Sequence, residues 1–172
     1  YHGGQALQQL IRNPKNTIIN FRDFIGLPFS ECDASRCAAG APVVEIDGKA
    51  GFVVKRADDV EERLTVDEVV SRHLNKLAAE DYIGQTISKA VLTVPTNFSD
   101  AQKKALKDAA SAVDLEIVYF INEPSSALLA HVEEFPTDKD QNVVVADFGG
   151  VRSDAAVIAV RNGIFTLLAT EH

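Results

Sequence analysis

The chain has 172 residues, of which 46% are hydrophobic and 24% charged, so a compact core that buries roughly 70% of the unfolded surface is feasible. No apolar run approaches the roughly 18 residues of a membrane span, and no charged and then apolar leader opens the chain, so we expect a cytoplasmic protein without membrane contact. With 17 basic against 25 acidic residues the net charge is -8, which disfavours direct binding to nucleic acid because phosphate is repelled.

The first part of the chain, residues 1–63, carries turn signals between short apolar stretches and is predicted to be irregular apart from one hairpin. The runs PVVEI and GFVVKR flank Asp47-Gly48, a dipeptide that favours a tight turn between antiparallel strands. Cys32 and Cys37 have no second cysteine pair and no histidine nearby, so we expect reduced thiols rather than zinc ligands.

Two capping boxes predict the starts of two helices. Thr65 and Glu68 have the spacing of such a box at the start of TVDEVVSRHLNKLAAEDYIG, and Ser99 and Gln102 repeat it ahead of AQKKALKDAASAV. In the first of these segments the valines and leucines recur at helical spacing.

Strands are predicted to alternate with these helices. KAVLTV lies between them, and LEIVYFI separates the second from a third helix that starts at Pro124. This order predicts parallel strands covered by helices, with Val91 and Val94 buried in a strand covered on both faces. After the polar run EFPTDKDQ come three further strands, NVVVADF, DAAVIAV and IFTLLAT, the last two joined by a hairpin at Arg161-Asn162-Gly163.

Three strand ends carry residues suited to chemistry, in TVPTNFSD, INEPSSA and ADFGGVRSD. Ligands collect where the ends of such strands converge in open α/β sheets, so Pro95, Glu123 and Asp147 are expected to share one cleft. Each also has a purely structural interpretation: a proline ends a strand, a glutamate suits the first turn of a helix, and an aspartate begins a turn.

In this order the motifs NPKNT, VPTNFSDAQKKALKDAA, INEPSSALLA and VVVADFGG resemble the nucleotide-binding domain of the DnaK-type Hsp70 chaperones. The resemblance implies an α/β, actin-like or ribonuclease H-like fold that covers the first lobe and the start of the second. On that map residues 1–63 are a small outer subdomain, 64–137 an inner subdomain and 138–172 the first strands of the second lobe. The sequence lacks methionine even at position 1, so we expect it to be a piece of a longer chain.

The resemblance also implies a site for ATP and magnesium. Asp147 and Glu123 correspond to residues that hold the metal and its water, and Gly149 and Gly150 to residues that contact phosphate. Arg152 lies in the same turn and is likewise expected to contribute to cofactor binding. Because the other phosphate loop and much of the cleft would lie outside residues 1–172, this chain alone is not expected to bind ATP tightly.

Further positions correspond to residues that, in the family, couple the nucleotide-binding domain to the substrate domain and to co-chaperones. Pro95 matches a switch proline, and Lys103 falls at a basic position that relays between the nucleotide and substrate domains. At Ser111 the family often has an arginine that grips the J-domain of a co-chaperone.

Departures from the family pattern predict a degenerate ATPase with no catalytic residue. The catalytic lysine is expected at position 7, which is Leu7, and an aliphatic side chain cannot stabilise a transferring phosphate. Val151 and Arg152 replace a third glycine and a threonine. Arg152 is interpreted as locking the turn by pairing with an acidic neighbour or phosphate; the alternative is an arginine finger.

This combination resembles the atypical branch of the family that serves as the chaperone subunit of the fungal ribosome-associated complex. The resemblance implies ATP as a structural ligand with little or no hydrolysis, a J-domain partner of the zuotin type, and a ribosome reached through that partner. Three alternatives remain open: an ordinary ATP-hydrolysing chaperone, a small-molecule kinase of the same superfamily, and an interaction scaffold that binds no nucleotide.

Overall fold

The computed structural model describes residues 1–56, 58–78, 84–85, 87–134, 139–150 and 152–172. These residues form two compact units: a first unit from Tyr1–Ala90 and Ser99–Ile117, and a second unit from Val91–Phe98 and Val118–His172. Both contain helices and strands, which confirms the mixed α/β class. Across the described ranges, every helix is too short or too polar to traverse a lipid bilayer.

The first unit combines helices with a three-stranded antiparallel sheet. Its elements in chain order are α1 (Gly3–Arg12), β1 (Val43–Ile46), β2 (Lys49–Lys55), β3 (Glu61–Thr65), α2 (Val66–Ala78) and α3 (Asp100–Ser111). The predicted hairpin is confirmed, because β1 pairs with β2 around Asp47 and Gly48. Both turn residues have positive φ, 51° and 79°, as a tight hairpin with right-handed strand twist requires.

Two elements of the first unit lie where an irregular chain was predicted, and that prediction is wrong there. Helix α1 begins at a glycine pair without a side-chain cap, so it lacks the usual start signal. Strand β3 has the sequence EERLT, and its three charged residues give no strand signal in the sequence. It is a strand because it pairs with β2 along its full length. Hydrogen bonding to this neighbouring strand outweighs the weak strand propensity of its own residues.

Both capping boxes are present. The Glu68 amide donates to Thr65 Oγ1 at 3.3 Å while the Thr65 amide donates to Glu68 Oε2 at 2.8 Å. At α3 the Gln102 amide donates to Ser99 Oγ at 3.2 Å and the Ser99 amide to Gln102 Oε1 at 3.1 Å. Each box satisfies two backbone donors that a helix start otherwise leaves unpaired.

The second unit contains the ends of two strands that are paired with each other, one helix and a separate sheet. These elements are β4 (Lys89–Val94), β5 (Glu116–Asn122), α4 (Glu123–Glu134), β6 (Gln141–Phe148), β7 (Ser153–Arg161) and β8 (Ile164–Glu171). The predicted order of elements is confirmed. The expectation of two buried valines in β4 is only half right, because Val94 is 1% exposed but Val91 is 50% exposed. This strand therefore has one open face.

Strands β6, β7 and β8 form an antiparallel sheet whose core lies against α4. Fully buried Ile158 of β7 packs in a cluster with Leu128 of α4 and with Ala156 and Val160. The hairpin between β7 and β8 turns at Asn162 and Gly163, both with positive φ, as predicted. Both β6 and β7 contact α4.

Candidate functional site

A cavity of about 340 Å³ in the second unit collects residues from the three predicted strand ends. Pro95 and Thr96 follow β4, Glu123 opens α4, and Asp147 lies near the end of β6. Asp154 at the start of β7 completes the polar lining. The structure thus brings Pro95, Glu123 and Asp147 to one cavity, while what the cavity binds stays a prediction.

Local structure explains how each side chain reaches the cavity. Buried Pro95 ends β4 and begins a turn in which the Phe98 amide donates to the Pro95 carbonyl at 3.2 Å. Glu123 stands where β5 passes directly into α4, so its charge meets the positive end of the helix dipole. Asp147 and Asp154 are opposite each other in the β6–β7 pairing. Directly opposite residues of an antiparallel pair share a face, so both carboxylates point to the same side of the sheet.

The donor chemistry of this cavity fits a hard cation that is shared with phosphate. Glu123 and Asp147 offer carboxylate oxygens, which Mg²⁺ prefers. Within the described ranges, no three acidic, histidine or cysteine side chains are close enough to enclose a metal by themselves. Mg²⁺ is commonly bound by one or two carboxylates together with phosphate oxygens and water, and this lining suits that arrangement.

The turn after β6 begins with two glycines, which carry no side chain. The Gly149 amide donates to the Arg152 carbonyl at 2.9 Å and closes the turn. A Cβ on Gly149 would lie 3.0 Å from that carbonyl oxygen, whereas a Cβ on Gly150 would meet open space. Gly150 therefore leaves room for a ligand to approach the backbone closely. Val151, which stands where the family pattern has a third glycine, lies outside the described residues.

Arg152 is engaged by an acidic neighbour. Its Nε donates to Asp154 Oδ2 at 2.7 Å and its Nη2 to Asp154 Oδ1 at 2.8 Å, a bidentate pair whose side chains are 20% and 19% exposed. Nη2 also reaches Asn97 Oδ1 at 3.3 Å. The hydrogen bonds from Arg152, more than any other contact, hold the pKa of Asp154 below its ordinary value, so this carboxyl is ionised at neutral pH.

Asp154 has a second partner, His172, which follows β8. His172 Nδ1 lies 2.6 Å from Asp154 Oδ1, and its Nε2 lies 3.1 Å from Thr96 Oγ1. The histidine contact also lowers the pKa of Asp154. A chain of polar contacts therefore runs from the turn after β6 to the segment after β4.

Other predicted positions lie in the first unit. Lys103 is on α3, with its Nζ 4.0 Å from Asp100. Leu7, the position of the expected lysine, is on α1 and is 63% exposed. Ser111 is the exposed last residue of α3. Their roles stay predictions.

Sequence reasoning predicted an acidic neighbour for Arg152 but did not identify it as Asp154 and did not predict the contact of Asp154 with His172. Asp154 carried a usable signal, because it follows the predicted turn at the start of the next strand and is thus placed opposite Asp147. His172 carried no such signal, since nothing in the sequence around it indicates that the residue after β8 contacts Asp154 at the start of β7.

Comparison with known proteins gives a single result over the whole chain. The family model described as Hsp70 protein matches residues 1–172. The chain is 76% identical over its full length to the Ribosome-associated complex subunit SSZ1 of Saccharomyces cerevisiae, of which it covers 32%. It is 38% identical to a heat shock protein 70 homolog of Schizosaccharomyces pombe, with 100% of this chain and 32% of that protein covered. The chaperone protein dnaK1 of Prochlorococcus marinus is 36% identical, with 98% of this chain and 25% of that protein covered. The chain thus spans about a third or less of the length of these curated relatives.

Proposed function

Because the chain belongs to the Hsp70 family, we propose that the whole protein is an ATP-binding chaperone or co-chaperone that acts on nascent chains at the ribosome. The observation that carries this proposal is the 76% identity, along the entire chain, to a subunit of the ribosome-associated complex. We further propose a cytoplasmic location, because a ribosome-bound complex that meets nascent chains works there.

The nucleotide-binding role rests on the cavity of the second unit. Asp147 and Glu123 would hold Mg²⁺. Gly150 would let the phosphates approach its backbone closely, while the Gly149 amide, which donates to the Arg152 carbonyl, would fix the shape of the turn. When bound, Mg²⁺ neutralises phosphate charge that the acidic lining would otherwise repel. Ground-state binding needs only such fixed oxygens and open backbone, and the carboxylates of the cavity together with the open space at Gly150 support the proposal.

Hydrolysis needs more than this cavity offers. Charge that develops during phosphoryl transfer must be met by placed donors, and losing one such donor typically costs about 10²-fold or more in rate. Leu7 supplies no donor at the position expected for lysine. Arg152 is engaged by Asp154, which supports the turn-locking role over the arginine finger. ATP would accordingly act as a structural ligand with little or no turnover.

The remaining assignments follow from the family. Residues 1–63 and 64–137 would be the outer and inner parts of the first lobe, and 138–172 the entry to the second. Pro95 would act as the switch and Lys103 as the relay. A J-domain protein of the zuotin type would be the partner, and with a net charge of -8 we expect contact with ribosomal RNA to come mainly from that partner.

The test uses the whole protein, since this chain is about a third of its relatives' length. MgATP at about 100 times its Kd should stabilise the fold by about 2.7 kcal/mol, which a thermal shift assay detects. Asp147→Ala should weaken that shift, whereas Asp108→Ala, which removes an exposed carboxylate of α3, should leave it unchanged. Steady-state hydrolysis should stay at background with a J-domain protein present.

The alternatives give different results in the same experiment. Brisk hydrolysis that a J-domain protein stimulates would identify an ordinary chaperone. Absence of any MgATP shift in the wild-type protein would identify a scaffold that binds no nucleotide.

A further inference from the structure

We propose that Asp154 and His172 are positioning residues of this nucleotide site. Together with Arg152 and Thr96 they form a polar chain, here called the clamp, that holds the turn after β6 to the segment after β4. The phosphate-facing role of that turn rests on the function proposed above; the clamp itself is made only of the protein's own side chains. It would set the shape of the turn before any ligand arrives.

The first link is the pair between Arg152 and Asp154. Two parallel N–H···O bonds of 2.7 and 2.8 Å match the planar guanidinium to the carboxylate. Such a fork fixes orientation as well as distance, which a lysine at the same position cannot do. Because the side chains are only 20% and 19% exposed, water competes weakly for these bonds.

The second link is His172, which connects Asp154 to Thr96. An ionised carboxylate only accepts hydrogen bonds, so the contact of 2.6 Å requires the proton on Nδ1 of the histidine. In the neutral imidazole Nε2 then accepts from the Thr96 hydroxyl at 3.1 Å. The ring is thereby oriented from both sides, and it joins residues that lie 76 positions apart.

The third link connects the side-chain contacts to the backbone of the turn. The Arg152 carbonyl accepts from the Gly149 amide at 2.9 Å, while the Arg152 guanidinium reaches Asn97 at 3.3 Å. Holding Arg152 therefore holds the turn that carries Gly149 and Gly150. Removing either Arg152 or His172, the two partners of Asp154, should therefore make the turn more mobile.

The clamp also relieves a conflict of charge. Asp147 and Asp154 are direct cross-strand partners, and like charges in that position repel. The Arg152 guanidinium compensates the charge of Asp154, which leaves Asp147 as the carboxylate of this pair that is available to a cation. Arg152→Lys keeps the positive charge but removes the fork, so it separates positioning from simple charge compensation.

Amide hydrogen exchange measured on the nucleotide-free whole protein tests the clamp directly. In Arg152→Lys and in His172→Ala the Gly149 amide should exchange about tenfold faster than in the wild type. The double variant should be no worse than the more affected single variant, because both changes break one chain. Arg161→Lys is the matched control, since it removes hydrogen bonds to Gln141 and Asn142 at the opposite end of the same sheet.

Two further measurements distinguish positioning from general destabilisation. The ¹⁵N shifts of neutral His172 should report the Nδ1–H tautomer in the wild type and lose it in Asp154→Asn. Calorimetry should show MgATP affinity reduced about tenfold by Arg152→Lys and unchanged by Arg161→Lys.

The outcomes are separable. Unchanged exchange at Gly149 in both single variants, additive effects in the double variant, or an equal effect of Arg161→Lys would overturn the clamp. Wild-type MgATP binding that all variants retain equally would overturn its positioning role. If the wild type does not bind MgATP, the proposed function fails, and the exchange and tautomer measurements still decide whether the clamp exists.

Discussion

Strand β4 offers a sharp test of the described burial, because two valines on it differ greatly in exposure. Val94 is 1% exposed and Val91 is 50% exposed. The same substitution, valine to aspartate, at these two positions of one strand should therefore have very different effects on the free energy of unfolding.

The cost at Val94 has two parts. Losing a buried valine side chain removes about 1.5–3 kcal/mol of hydrophobic stabilisation. A carboxyl buried without a partner has its pKa raised by up to about 3–5 units, and each unit is about 1.4 kcal/mol at a pH above the raised pKa. Val94→Asp should thus cost about 5 kcal/mol or more, which is comparable to the total stability of a domain. Val91→Asp should cost about 1 kcal/mol or less, since its carboxyl remains in water.

Urea unfolding followed by far-UV circular dichroism measures this difference, because the chain contains no tryptophan to report by fluorescence. The sign of the pH dependence is a further check. The folded-state pKa of the introduced carboxyl is raised, so the loss in Val94→Asp should grow as pH rises from about 4 and shrink toward acid. Equal midpoints for both variants would show that the two faces of β4 do not differ as described.

Other predictions concern the core, the thiols and one close backbone contact. Ile158→Ala should destabilise the second unit by about 2–5 kcal/mol, and Ile164→Ala, at a position 67% exposed, by about 0.5 kcal/mol or less; hydrogen exchange of the β6–β8 amides would show the difference. Burial, aided by nearby acidic charges, raises the pKa of the Cys37 thiol to about 11, so a thiol reagent at pH 8 should modify Cys32 roughly tenfold faster; equal rates by mass spectrometry would contradict the burial. Gly51→Ala should lower the melting temperature, because the added Cβ would lie 2.7 Å from the Leu64 carbonyl oxygen, with a cost of about 1–3 kcal/mol; an unchanged melting temperature would mean that β2 and β3 can separate freely.

Local signals were sufficient for the elements that begin and end with recognisable chemistry. The boxes at Thr65 and Ser99 fixed two helix starts, and Asn162-Gly163 fixed a hairpin, because these residues satisfy backbone groups within a few positions of themselves. Helix α1 and strand β3 were not predicted, because neither has such a local signal. One lacks a cap, and the other owes its conformation to the neighbouring strand β2.

The candidate site divides in the same way. Pro95, Glu123 and Asp147 were predictable as a group, since the ends of strands in such folds meet and each residue directly follows a strand or lies near its end. An acidic partner for Arg152 was predicted, but neither its identity as Asp154 nor the contact of Asp154 with His172 was, because the pairing of particular side chains depends on strand register and rotamers. The exposure of Val91 was missed because the sequence does not reveal which face of a strand is covered.

The meander of β6, β7 and β8 has a kinetic consequence. Its three strands lie within residues 141–171 and pair only with sequence neighbours, so their contacts are local and close quickly. At a synthesis rate of roughly 5–20 residues per second, the whole sheet leaves the ribosome within a few seconds of its first strand. The segment 91–98 has by then already been made. The turn between β6 and β7 can therefore acquire its shape during translation, as soon as His172, which contacts Asp154, has emerged after β8.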